Sequence, residues 1–157
     1  MIRTGIGFDI HRFKQGRKLV LGGVAIKSDF GLDGHSDADV LCHAVMDALL
    51  GAAADGDIGV HFPDSEKRWK GASSIKMLAS VARRLGEKGV KINNVDVSVL
   101  AEKPRLAPYR EKMRHNLAKA IGLTAAGVSV KATTLEGLGA LGRGEGIAAM
   151  AVATVEK

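Results

Sequence analysis

One short stretch of the chain combines histidine and carboxylate side chains at helical spacing. Asp39, His43 and Asp47 stand four residues apart in an otherwise apolar segment, and residues four apart share one face of a helix. Burying a histidine between two carboxylates costs free energy unless a metal, a substrate or a partner group satisfies these polar side chains. The stretch therefore predicts a functional site on a helix.

A second pair, Asp9 and His11, lies near the N-terminus in a segment whose pattern favours a β-strand. Alternate side chains of a strand point to the same side, so the two project together. With His43 they make a set of one carboxylate and two imidazoles, which suits zinc with one position left open. The alternative is a buried, hydrogen-bonded cluster without a metal. We expect Asp39 and Asp47 to support the ligands as hydrogen-bonding neighbours; for Asp47 the alternative is a solvated helix surface.

The size and composition of the chain predict one globular domain. With 157 residues, of which 46% are hydrophobic and 25% charged, the chain can bury a core and has the ordinary composition of a soluble protein. The net charge of +6 favours an anionic ligand, with simple solubility as the alternative. We expect no nucleic-acid partner, because no run of Lys and Arg is interleaved with aromatic residues.

Cysteine usage and apolar patterning indicate the compartment. Cys42 is the only cysteine, so no intrachain disulfide can form, and a reducing compartment fits. The sequence shows neither a signal peptide nor an apolar segment long enough to span a bilayer. We therefore expect a cytoplasmic protein without a membrane partner.

Hydrophobic periodicity predicts an element order of roughly β-β-α-α-β-α-β-β. Strands are predicted over residues 2–9, 19–21 with 24–26 as a hairpin, 95–99, 128–134 and 147–155. Helices are predicted over residues 37–54, 74–88 and 108–121, with Ser36 as the N-cap of the first helix and a loop over 55–71.

This order predicts an α/β chain of the α+β two-layer sandwich type, in which helices cover one face of a mixed β-sheet. The last strand, 147–155, is apolar on both sides, which predicts burial on both. The far face of the sheet must then meet another surface, and we expect oligomerisation.

Six motifs of the chain resemble the family of 2-C-methyl-D-erythritol 2,4-cyclodiphosphate synthases. They follow one another in order and extend the resemblance over nearly the whole chain. The form Ser-Asp-x-Asp-Val-x-x-His, from Ser36 to His43, is highly specific for that family. The motifs are GFDIH at 7–11, HSDADVLCHAVMD at 35–47, GDIG at 56–59, FPD at 62–64, ATTLE at 132–136 and GRGEGIA at 142–148.

The resemblance implies a fold, an assembly and a reaction. It implies one cyclodiphosphate synthase domain over residues 1–157 and a homotrimer with the sheets around the threefold axis and active sites between neighbouring subunits. The implied reaction converts 4-diphosphocytidyl-2-C-methyl-D-erythritol 2-phosphate to 2-C-methyl-D-erythritol 2,4-cyclodiphosphate with release of CMP, a step of non-mevalonate isoprenoid precursor biosynthesis. The substrate's own 2-phosphate is the nucleophile, so positioning and charge neutralisation carry the catalysis.

The resemblance also implies roles for individual residues. His35 and Thr134 match positions that stabilise the transition state, and Glu136 matches the ligand of a second cation, magnesium or manganese. The implied zinc ligands are the three residues derived above. The implied substrate-binding residues are Asp9, His11, His35 and Ser36; Asp57, Ile58, Gly59, Phe62, Pro63, Asp64, Ser65 and Glu66 around the methylerythritol portion; Ala101, Glu102, Lys103, Pro104, Arg105, Leu106, Ala107 and Ala132 around the cytidine nucleotide; Thr133, Thr134, Leu135 and Glu136 near the phosphates; and Arg143 in a central cavity.

The chain departs from the family's pattern at two positions. Arg105 stands where the family often has a lysine, which keeps the charge and changes its geometry. Ala140 stands where a bulky aromatic residue often lines the central cavity. Two other functions compete with the synthase: a zinc-dependent phosphohydrolase, and a non-catalytic trimer that binds isoprenoid diphosphates.

A cytidylyltransferase of the same pathway is a possible partner, since the two activities are fused in some relatives. This chain starts at Met1 and leaves no room for the second domain. We therefore expect such a partner to be a separate chain.

Overall fold

The computed structural model describes residues 1–157. Its strands are β1 (Ile2–Gln15), β2 (Leu19–Leu21), β3 (Val24–Ile26), β4 (Phe30–Leu32), β5 (Lys91–Leu100), β6 (Val128–Thr133) and β7 (Gly146–Glu156). Its helices are α1 (Val40–Ala53), α2 (Ile58–His61), α3 (Ser74–Glu87), α4 (Arg110–Ile121) and α5 (Gly139–Gly142), with 3₁₀ turns at Lys67–Trp69, Ala107–Tyr109 and Ala125–Gly127. None of the helices combines the length and apolar character that crossing a lipid bilayer requires.

Five strands form one mixed sheet in the order β4-β1-β7-β5-β6. Strands β5 and β6 run parallel, and the other neighbours are antiparallel. Strands β2 and β3 pair separately as a hairpin. Helix α1 packs on β1, β7 and β5, α4 packs on β6, and α3 lies against α1 and α4. The predicted mixed sheet with helices on one face is confirmed.

Helix α1 lies unusually close to strand β1 because the strand has glycine at the contact. A Cβ atom on Gly7 would lie 1.9 Å from the carbonyl oxygen of Ala44, and one on Gly5 would lie 2.1 Å from that of Ala48. Such distances are far inside van der Waals contact, so no side chain fits at either position. Nearly every residue of α1 is buried, which is typical of a largely apolar helix in a protein core.

The start of α1 corrects the predicted cap. The helix begins at Val40, and its N-cap is Asp39, whose Oδ1 accepts a hydrogen bond of 3.1 Å from the amide of Cys42. Ser36 is not the cap. It lies three residues before Asp39, and its hydroxyl accepts from the amide of Ala38, which precedes the helix. Aspartate and serine are both favoured N-caps, and the pattern alone did not separate them.

The predicted loop over 55–71 contains local structure that periodicity missed. Asp57 caps the single turn of α2 by accepting from the amide of Val60 at 3.0 Å, and a 3₁₀ turn follows. Strand β1 is also longer than predicted and pairs at its end with the unpredicted β4. Elements of three or four residues are too short to show a hydrophobic period.

The last strand, predicted to be buried on both faces, is buried on one within the chain. Its residues facing the helices are covered, whereas Met150 and Val152 remain 44% and 40% exposed. They lie beside Ile6 and Phe8 of β1, which are 67% and 51% exposed. These residues, with Ile2 and Ile10, form an exposed sheet patch. Contiguous apolar surface of this kind marks an interaction site.

The contact between Gly7 and α1 predicts a mutational asymmetry. Gly7→Ala should lower the free energy of unfolding by about 1–3 kcal/mol or more, because the new methyl group meets helix backbone that cannot move aside alone. Gly86→Ala is the matched control: Gly86 lies within α3 with open space around it, and alanine there should raise stability by about 0.5–1 kcal/mol. Urea unfolding of both variants measures the difference. Equal stability of Gly7→Ala and the parent would contradict the close packing.

Candidate active site

Strand β1 and helix α1 bring the three predicted zinc ligands together. Oδ2 of Asp9 lies 2.9 Å from Nε2 of His11 and 2.9 Å from Nδ1 of His43. The two imidazole nitrogens are 3.3 Å apart, and one ligand atom from each residue lies within 4.8 Å of the others. The group can therefore hold a metal ion.

The chemistry of these atoms calls for a cation. A carboxylate only accepts hydrogen bonds, and a neutral imidazole nitrogen without hydrogen is also an acceptor. Burial acts to raise the pKa of Asp9, but the adjacent imidazoles of His11 and His43 outweigh it and hold that pKa well below its usual value. Burial acts to lower the pKa of His11, and its hydrogen bond to Asp9 outweighs this and raises the pKa. One carboxylate and two imidazoles are a donor set that fits zinc.

The three ligand residues open into a cavity of about 390 Å³, which we call the metal cavity. Two further predicted residues, His35 and Ser36, lie on its wall. Phe62 packs edge-to-face on Trp69 at 4.9 Å between ring centroids. The remaining lining residues are Gly34, Ile58, Gly59, Phe62, Pro63, Asp64, Trp69 and Met77. Gly34, Trp69 and Met77 were not predicted, although Trp69 is the only tryptophan in an aromatic-poor chain.

The segment that carries His35 is held by an arginine that the sequence analysis missed. The guanidinium of Arg17 donates to the carbonyl of Gly34 at 2.6 Å and to that of Ser36 at 2.5 Å. These two bonds bracket His35, whose Nε2 lies 3.4 Å from the carbonyl oxygen of Glu66. A single arginine before a short strand has no sequence signal that separates it from a solvated side chain.

The two supporting carboxylates have different positions. Asp47 accepts from the amide of Ile58 at 2.9 Å and so fixes the start of α2 on the cavity wall; burial raises the pKa of Asp47. Asp39 is fully buried and is not part of the Asp9–His11–His43 group. It accepts from the amides of Gly22 and Gly23 at 2.9 and 2.7 Å, and burial raises its pKa. Its expected role beside the ligands is therefore corrected to a link between α1 and the β2–β3 hairpin.

The segment from Asp55 onwards is also anchored to α3. The Asp55 carboxylate pairs with Arg84 at 2.8 Å and with Lys88 at 2.5 Å, and its backbone carbonyl lies 2.8 Å from Nε2 of His61. Hydrogen bonds from Arg84 and Lys88 hold the pKa of Asp55 well below its usual value. His61 therefore ties the loop together and is not a member of the metal group.

The predicted nucleotide-binding residues lie elsewhere. Residues 101–107 and 132–134 line a separate cavity of about 420 Å³, which we call the loop cavity. The two loops are joined because Oε1 of Glu102 accepts from the amide of Leu135 at 2.6 Å. No residue lines both the metal cavity and the loop cavity. Within one chain, the predicted site residues are therefore divided between two separate cavities.

Some predicted residues line neither cavity. Glu136 has a left-handed backbone with a φ of 53°, and its Oε1 accepts from the hydroxyl of Thr134 at 3.2 Å. Arg143 is exposed and pairs with Glu145 at 2.7 Å. The predicted substrate-binding residues outside both cavities are Asp57, Ser65, Glu66, Leu135, Glu136 and Arg143.

An α+β chain with a partly buried Asp-His-His group at a cavity has the features of an enzyme that can hold a metal ion, and sequence comparison identifies its family. A sequence model of the YgbB family matches residues 2–156, so the chain belongs to that family. A protein from Alkaliphilus metalliredigens is 54% identical over 98% of this chain and 97% of its own length. One from Laribacter hongkongensis is 59% identical over 99% of this chain and 96% of its own length. Both are named 2-C-methyl-D-erythritol 2,4-cyclodiphosphate synthase.

Solved structures agree with this relationship. The chain superimposes on "IspF (Plasmodium falciparum) CDP complex" with a TM-score of 0.85 and 32% identity, covering 98% of this chain and 95% of that one. It superimposes on the bifunctional IspDF from Campylobacter jejuni with a TM-score of 0.95 and 41% identity. There it covers 99% of this chain and 42% of the bifunctional one. The predicted resemblance to the synthase family is confirmed.

The ligand geometry predicts that His43→Ala loses the capacity to bind a metal ion while the chain stays folded. The imidazole supplies one of three protein ligands, and two are too few for tight binding. His115→Ala is the control, because His115 is exposed on α4 and its Nδ1 faces the Glu111 carbonyl. Metal content of the purified variants is measured by plasma mass spectrometry. Full zinc content in His43→Ala would remove His43 from the ligand set.

Proposed function

We propose that this chain converts 4-diphosphocytidyl-2-C-methyl-D-erythritol 2-phosphate to 2-C-methyl-D-erythritol 2,4-cyclodiphosphate and releases CMP, in non-mevalonate isoprenoid biosynthesis. The observation that carries this proposal is the Asp9–His11–His43 group at a cavity, in a chain whose relatives at 52–59% identity bear the synthase name. Structures of relatives with CDP support a cytidine diphosphate-linked ligand. The whole chain, residues 1–157, acts as one domain.

Two cations take part in the proposed site. Asp9, His11 and His43 hold zinc, which when bound supplies Lewis-acid stabilisation of negative charge on a phosphate. Glu136 holds magnesium or manganese, since a hard cation prefers oxygen ligands. The Glu136 carboxylate is exposed and contacts only the Thr134 hydroxyl among side chains, which leaves oxygen lone pairs for such an ion.

The reaction needs no nucleophile from the protein. An oxygen of the 2-phosphate forms a bond to the β-phosphorus, and the bond from that phosphorus to the bridging oxygen breaks. CMP leaves with the electron pair. The only cysteine is fully buried, and burial raises its pKa well above the usual value. The chain therefore binds and orients: His35 and Thr134 act at the reacting phosphates, and Arg17 keeps His35 in place.

The residues that line the two cavities explain the proposed assembly. The substrate carries a nucleotide at one end and a phosphorylated methylerythritol at the other, while the loop cavity and the metal cavity of one chain share no residue. We infer that the metal cavity of one copy and the loop cavity of the next form one complete site. A homotrimer with its sheets around a threefold axis would also bury the exposed sheet patch.

Two further proposals follow from the comparisons and the sequence. The likeness to a bifunctional chain supports association with a cytidylyltransferase of the same pathway. Free Cys42 supports a reducing, cytoplasmic location.

Product analysis tests the proposed reaction. With zinc and magnesium present, we expect the substrate to yield CMP and the cyclic diphosphate in equal amounts. Phosphorus NMR measures both products. Simple hydrolysis products would establish a phosphohydrolase instead. Binding of isoprenoid diphosphates without turnover would establish a binding protein.

The same assay separates the roles of the two cations. Glu136→Gln should keep its zinc, lose most turnover and respond less to added magnesium, because an amide oxygen lacks the full charge of a carboxylate. Glu156→Gln is the control, since Glu156 is exposed at the end of β7. Loss of zinc from Glu136→Gln would place Glu136 among the zinc ligands, and unchanged kinetics would make it a surface carboxylate.

A further inference from the structure

The side of His43 that faces away from Asp9 contacts two buried hydroxyl groups. Its Nε2 lies 2.9 Å from Oγ of Ser74 and 3.2 Å from Oγ of Ser36. Ser74 is fully buried at the first position of α3, thirty-one residues along the chain from His43. No functional role was predicted for Ser74 from the sequence.

Asp37 fixes the direction of these hydrogen bonds. Its Oδ1 lies 2.5 Å from Oγ of Ser74, and its Oδ2 accepts from the Ser74 amide at 3.1 Å. A carboxylate has no hydrogen to give, so the single hydroxyl hydrogen of Ser74 points to Asp37. Oγ of Ser74 can then only accept from His43, and the hydrogen between them belongs to Nε2 of His43.

The second hydroxyl fits the same directions. Oγ of Ser36 accepts from the amide of Ala38 at 3.1 Å and lies 3.2 Å from Oγ of Ser74. Because the Ser74 hydrogen is already given to Asp37, Ser36 is the donor in this pair. Ser74 thus accepts twice and donates once, which uses its full hydrogen-bonding capacity.

We propose that Ser74, oriented by Asp37, is a positioning residue that holds His43 as the tautomer with hydrogen on Nε2, so that Nδ1 offers its lone pair to the metal. The proposal rests on the zinc site proposed above. In a metal site the second nitrogen of a histidine ligand is normally fixed in this way, and loss of the partner lowers metal affinity.

The opposing tautomer has its own stabilising contact. With hydrogen on Nδ1, His43 would donate to Oδ2 of Asp9, 2.9 Å away, and its lone pair would be closed to the metal. Without Ser74, nothing would favour hydrogen on Nε2 except the weaker contact to Ser36. Ser74 and Asp9 therefore compete for the hydrogen of a neutral His43.

The test compares Ser74→Ala with the parent and with Ser73→Ala, whose serine makes no cap hydrogen bond. Zinc affinity is measured by competition with a chromophoric chelator. We expect Ser74→Ala to bind zinc roughly 10- to 100-fold more weakly, and Ser73→Ala to match the parent. Ser74→Thr keeps the hydroxyl and should recover most of the affinity.

Nitrogen-15 spectra of the histidine rings distinguish positioning from a loosened fold. In the zinc-free parent at alkaline pH, Nδ1 of His43 should give the signal of a nitrogen without hydrogen, and Ser74→Ala should move it towards the protonated form. A packing defect alone would weaken zinc without this change. Asp37→Ala keeps Ser74 but frees its hydrogen, so it should shift the same signal and serves as the second variant if Ser74→Ala does not fold.

The outcomes separate the positioning role of Ser74 from the existence of the metal site. A parent that binds no zinc would overturn the proposed site itself. A parent that binds zinc, together with a Ser74→Ala variant of equal affinity and unchanged Nδ1 signal, would overturn the role of Ser74 alone. Hydrogen on Nδ1 in the zinc-free parent would overturn it as well.

Discussion

The direct contact between helix α1 and strand β1 is the constraint on which the site depends. Gly7 lies under Ala44 and Gly5 under Ala48, so the two elements run side by side at backbone contact. Two strand residues advance about 6.8 Å and four helix residues about 6 Å. The next pair in this series is Asp9 with Val40, at the start of α1. Asp9 therefore lies beside the first helical turn, which also carries His43. A side chain at either glycine would separate the carboxylate from the imidazole and so disrupt the metal group.

The same contact explains why so many polar groups are buried near the first turn of α1. Helix α1 supplies one ligand, Asp39 ties its start to the β2–β3 hairpin, and Asp37 with Ser74 ties it to α3. Each carboxylate accepts from backbone amides or hydroxyls, so none is left unpaired in a buried position. The helix that carries His43 is consequently anchored by Asp37 and Asp39, which do not themselves line the metal cavity.

Local patterns in the sequence were sufficient for the elements that carry a clear period. Alternation predicted β5, a run of apolar residues predicted β7, and turn glycines placed the β2–β3 hairpin. Helical spacing placed α1, α3 and α4 within a few residues. The proximity of the three predicted ligands could be predicted because Asp9 and His11 share a strand face and His43 lies on a helix within a specific motif. Patterns failed where a single hydrogen bond decides, as at the N-cap, Asp39.

Residues whose function depends on distant partners were not predictable from one sequence. Arg17 acts on carbonyls seventeen and nineteen residues away, and Ser74 acts on a histidine in another helix. The separation of the loop cavity from the metal cavity is likewise a property of the folded chain. This separation is the basis of the proposed assembly, in which neighbouring copies of the chain combine the two cavities.

Mixing two inactive variants tests the shared site most directly. His43→Ala disables the metal cavity, and Ala132→Arg fills the loop cavity. When the two variants are refolded together in equal amounts, about a quarter of the parent activity should return. Each site needs an intact metal cavity from one copy and an intact loop cavity from the next, and each of these is intact in about half of the cases. If both cavities of a single chain formed the site, every copy in the mixture would be defective, and activity would stay at the level of the separate variants.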